Sequence, residues 1–155
     1  MADLRGILLA IDLATRQRDE YAKTVARAQR TVLHAQSQMD ALTGYAGETD
    51  QRWLGAGASQ LSVELMRHHY QFMDRLQAAI ALQTQAIANA QRQVELVTKT
   101  LLQAEHRLAG LKQVLASRQL TALKQQQLRE QRLTDEMASI MHARRQAASL
   151  IGESP

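Results

Sequence analysis

The chain contains no cysteine, so disulfides and thiolate chemistry are excluded and a reducing compartment is permitted. Its one proline is Pro155, the last residue, so no pyrrolidine ring interrupts a helix before it. Large residues are scarce: three Tyr, one Trp and one Phe are too few to fill a compact core in 155 residues. Long apolar runs are missing too. The run Ile7 to Ile11 is flanked by Asp3 and Asp12, too short for a secretory signal or a membrane span of about 20 residues. These absences predict a cytoplasmic protein with no membrane insertion.

What is present is 45% hydrophobic content, mostly Ala, Leu, Val, Ile and Met, mixed with Gln, Arg and Glu. Such a mixture favours long helices. Four of the seven glycines, Gly44, Gly47, Gly55 and Gly57, fall close together and mark one break in the chain.

Two seams flank that break. Leu4, Ile7, Ile11, Ala14, Arg18, Tyr21, Val25, Ala28, Val32, Ala35, Met39 and Leu42 follow an unbroken 3-4 spacing, with only Arg18 polar. Leu76, Ile80, Gln83, Ile87, Ala90, Val94, Val97, Leu101, Ala104, Leu108, Leu111 and Leu115 repeat it, with only Gln83 polar. This is the a/d repeat of a coiled coil. The predicted fold is all-α: helix one over about 3–48, a glycine-rich turn over about 49–60 and helix two over about 61–148. Ser59 or Ser62 is placed to cap helix two. Folding back into an antiparallel coiled-coil hairpin is the simplest arrangement, with a parallel homodimer of separate helices as the alternative.

The helices differ in length, roughly 70 Å against 130 Å at 1.5 Å per residue. Pairing outward from a turn near residue 56 sets Leu42 near Tyr70 and Leu4 near Leu108. A C-terminal overhang, residues 109–150, then has no partner in the chain and is marginal alone, because helix stability comes mostly from packing. The seam changes there: its next positions are Arg118, Ala122, Gln125, Arg129 and Arg132, while Leu120, Leu123 and Leu128 lie off it.

Charge follows the same division. Residues 1–60 carry seven basic and seven acidic side chains; residues 61–155 carry twelve and eight. Lys112, Arg118, Lys124, Arg129 and Arg132 fall in a stretch where Glu130 is the only acid. The plain reading is a solvated helix face; the functional one is contact with an acidic protein. Nucleic acid is not expected, since aromatic interleaving and a recognition motif are missing.

No constellation for catalysis or metal binding stands out. Glu64 and His68 share a helix face, but two ligands do not make a site. Asp19-Glu20 and Asp135-Glu136 are sequence neighbours and diverge in space, and the glycines form no phosphate loop. Neither an enzyme nor a cofactor is expected.

Residue order points to a family. An N-terminal helix leads to Gln38-x-x-x-Leu42-x-x-Tyr45-x-x-Glu48 and a glycine-broken turn. Tyr70-Gln71-Phe72-x-x-x-Leu76-x-x-Ala79-Ile80 then opens the second helix, followed by Val94-Glu95, Arg107-Leu108 and, near the end, Arg132 to Ala138. This resembles the flagellar export protein family FliJ over nearly the whole chain. The resemblance implies a soluble part of the flagellar type III export apparatus, similar to the coiled-coil stalk of rotary ATPases. Such a protein would sit in the hexameric ring of an export ATPase (FliI-like) and promote its assembly and activity. It would also contact the cytoplasmic domain of an export gate protein (FlhA-like) and escort export chaperones, at the cytoplasmic face of the cell membrane. Carried onto this sequence, the gate-binding set is Gln38, Leu42, Tyr45, Phe72, Leu76, Ala79 and Gln83. The overhang, with Lys124, Arg129 and Arg132, becomes the expected contact with the ATPase ring. A coiled-coil holdase chaperone and a structural homodimer are the alternatives from other classes.

Overall fold

The computed structural model describes residues 2–55 and 62–152, with side chains from Leu4 onward. Two helices account for them: α1, Ala2–Gly55, and α2, Val63–Gly152. No strand occurs among the described residues. Ser62 caps α2, its Oγ accepting from the Leu65 N–H at 3.2 Å while its carbonyl accepts from Met66 at 3.1 Å. Glu64 in the first turn complements the positive end of the helix. Ser59 lies outside the described residues.

Helix one is longer than its glycines suggested. It was expected to end near residue 48 but runs through Gly44 and Gly47 to Gly55. The reason is packing. The seam continues past Leu42 through Ala46, Thr49 and Trp53, which are buried or half-buried, while both glycines point away from it. Each glycine costs a helix roughly 1 kcal/mol relative to Ala, which seam burial offsets.

The chain forms two compact units, Ala14–Arg107 and Met1–Leu13 with Leu108–Pro155. In the first, α1 and α2 pair as an antiparallel coiled-coil hairpin. Contacts from Ala35 to Gln83, Tyr45 to Phe72 and Trp53 to His69 climb one helix as they descend the other. Ala14, Val25, Ala35, Ala46 and Leu76 form its buried line. Four of these five are small or β-branched, so the backbones can approach closely. Arg18, the polar seam position of helix one, is half-buried, and its Nε bonds the Asp19 carboxylate at 2.9 Å. The midpoints of the Ala35–Gln83 and Tyr45–Phe72 pairs fall near residue 59 rather than 56. Leu42 therefore stands level with Leu76, displaced by about six positions from the expected Tyr70.

In the second unit, Leu108 is the buried residue, at 4% exposure. Leu4, Ile7, Ala10, Ile11, Leu111 and Leu115 are half-buried. From Ala116 to Gly152, every residue is exposed.

Candidate partner-binding surfaces

The hairpin unit brings the seven expected gate-binding residues into one band across both helices. At one end, Gln83 Nε2 donates to the Ala35 carbonyl at 2.8 Å and to Gln38 Oε1 at 3.2 Å. Gln83 thus turns the polar step in its seam into an interhelix tie. Leu76 is buried, while Leu42 and Ala79 are half-buried. At the other end, Tyr45 and Phe72 meet edge to face, ring centroids 5.8 Å apart at 79°, a favoured geometry for aromatic pairs. Phe72 keeps 38% of its surface exposed and Tyr45 52%. The band therefore has a packed floor and presents Gln38, Tyr45 and Phe72 outward.

Sequence reasoning missed the next layer toward the turn. Trp53 and His69 stack with centroids 3.9 Å apart and planes 3° from parallel, and Tyr70 lies 5.9 Å from the imidazole. The missed signal was the continued 3-4 spacing Leu42, Ala46, Thr49, Trp53, hidden by the glycines between those positions. Beyond it, Leu54 and Val63 are strongly exposed. Elsewhere on the hairpin, Gln29, Val32, Leu33, Gln91 and Val94 line a shallow groove of about 400 Å³.

In the other unit, Lys124, Arg129 and Arg132 are all exposed. Arg129 and Arg132 border a shallow depression with Gln125 and Leu128. Lys124, Leu128 and Arg132 recur at four-residue spacing, so an aliphatic side chain sits between two cations on one stripe. On the first turns of α1, Leu8, Leu9 and Leu13 are exposed. Leu9 and Leu13 lie on the face opposite the seam, a feature that the heptad reading passes over because it follows only the buried stripe.

Among the described residues no cluster of His, Asp and Glu could hold a metal ion, and no helix is long and apolar enough to cross a membrane. The family model described as "Flagellar FliJ protein" matches residues 9–147. No curated protein and no solved structure matches the chain.

Proposed function

The chain belongs to the flagellar FliJ family, and from that premise we propose that it is the stalk of the flagellar export ATPase, linking the ATPase ring to the export gate. Family membership makes it a component of flagellar protein export. The stalk reading assigns the basic exposed helix, with Lys124, Arg129 and Arg132, to a hexameric ring ATPase, together with the first turns of α1. It assigns the band from Gln83 to Phe72 to the cytoplasmic domain of the gate protein, at the inner face of the cell membrane. Export chaperones are further partners of this assembly.

One observation carries the reading: every residue from Ala116 to Gly152 is exposed, although the segment is helical throughout. A helix of that length without packing is marginal in water, so its structure calls for an external partner. Its basic excess suits an acidic lining, and complementary charge sets encounter rate and register more than bare affinity.

Stimulation of the purified export ATPase tests this directly. Replacing Lys124, Arg129 and Arg132 with Gln should lower stimulation and make the remainder less sensitive to salt, with helicity unchanged. Normal stimulation by the triple variant would overturn the assignment of this helix to the ring.

A further inference from the structure

We propose that the C-terminal part of α2 pairs with the same segment of a second copy of this chain, antiparallel, about a two-fold axis beside Met137. The argument begins with a second 3-4 pattern, phased differently from the hairpin seam. Leu123, Glu130, Met137, Arg144 and Ile151 recur every seven residues on one helix face, with Leu133 and Ile140 on one flank and Met141 on the other. All of these positions are exposed. Leu123 keeps 52% of its surface in solvent, Met137 65% and Ile151 77%. The stripe covers roughly 43 Å of helix at 1.5 Å per residue, the scale of a four-heptad coiled coil.

Two charged residues interrupt the stripe, and they identify the occupant. Glu130 lies one heptad before Met137 and Arg144 one heptad after it. Among the described residues, the Glu130 carboxylate accepts from Gln126 Nε2, one turn back, at 3.4 Å. Among the described residues no ion pair reaches Arg144. A charge in an apolar seam is costly unless the partner supplies its opposite at the same level.

An antiparallel copy centred on Met137 does so for both charges. Glu130 meets Arg144 of the second copy, and Arg144 meets Glu130 of the second copy. Leu123 meets Ile151 of the second copy, Leu133 meets Met141 of the second copy, and Met137 meets itself. A parallel pair in register would set Glu130 against Glu130 and Arg144 against Arg144, which like-charge repulsion disfavours. The order Leu, Glu, Met, Arg, Ile is thus complementary to its own reversal. Both readings start from the exposure of residues 116–152, but the pairing face lies on the opposite side of the helix from the Lys124, Leu128 and Arg132 stripe. Charge reversal at Glu130 and Arg144 therefore tests the pairing separately from ATPase stimulation.

The test is sedimentation equilibrium of the full chain across the micromolar range, with charge reversals. The wild-type chain should show a reversible monomer–dimer equilibrium. Glu130→Arg alone and Arg144→Glu alone should each weaken dimerisation by about tenfold or more, the equivalent of about 1.4 kcal/mol. The double variant, Glu130→Arg with Arg144→Glu, should restore it, because each new Arg again faces a Glu across the axis. Circular dichroism on each variant verifies that the helices remain. Since the chain has no cysteine, Met137→Cys should also form a disulfide-linked dimer on mild oxidation, while Leu123→Cys should not. A chain that stays monomeric throughout, single reversals without effect, a double variant that fails to recover, or crosslinking at Leu123→Cys but not at Met137→Cys would each overturn the proposal.

Discussion

Across the hairpin, the Gln83 carboxamide donates to the Ala35 carbonyl oxygen at 2.8 Å, so the polar residue of one seam is tied to the backbone of the other. A carbonyl inside a helix has a second lone pair free, and Gln83 uses it without breaking the helix. A lone polar group at a seam position fixes register at some cost in stability. Gln83→Ala should lower stability to urea by about 1 kcal/mol, as loss of such a bond does. Gln83→Leu should be as stable as the parent or more so, with a less sharply defined register.

That register can be read with two probes. Gln29 and Gln91 are exposed, face the same groove and lie in the hairpin unit. Without native cysteines, Gln29→Cys and Gln91→Cys carry the only labels. Spin labels there should report one short distance that persists after dilution with unlabelled chain. Loss of that distance on dilution would show that the pairing is intermolecular.

Phe72 and Leu76 sit one turn apart and should behave oppositely. Phe72 is partly exposed beside Tyr45, whereas Leu76 is buried at 8% exposure. Phe72→Ala should weaken binding of the gate domain by about 2 kcal/mol or more, as aromatic anchors do. Its effect on folding should stay near the ~1 kcal/mol of a lost aromatic pair. Leu76→Ala should destabilise the hairpin by about 2–3 kcal/mol, as core truncations do. Titration calorimetry alongside urea denaturation separates the two effects.

Hydrogen exchange follows the exposed helix. With the chain dilute and alone, amides across 116–152 should exchange quickly while those flanking Ala35 and Leu76 stay protected. Addition of the ATPase ring should slow the former. Equal protection in both states would contradict insertion of this segment.

The hairpin was legible in the sequence because its warrant is periodic. Eleven of twelve apolar positions in each seam fix a face whatever the neighbours do. The break was harder to place. Gly44 and Gly47 read as terminators, yet helix propensity is a weak prior, and burial of Ala46 and stacking of Trp53 on His69 override it. That misplacement moved the turn centre, and with it Leu42 came to be set against Tyr70. An unpacked C-terminal stretch was readable from helix length, but it begins at Ala116 rather than at residue 109, because Leu111 and Leu115 are still half-buried. The Gln83 tie was not, because its partner is a backbone atom that no residue identity announces. For the candidate band, the family resemblance named the residues, and the packed structure separates those that present a surface from those that support it.

Gly44 and Gly47 carry a mechanical consequence. An added methyl at either would meet no atom within 4 Å, and both lie in regular helix. Alanine at both would therefore fit without strain and add about 1 kcal/mol of helix stability each. With glycine at both positions the turns around Tyr45 are more compliant than alanine would make them, and on the proposed reading this is where the gate protein meets the aromatic pair. A Gly44→Ala, Gly47→Ala arm would be stiffer there and would bend less to match a curved surface.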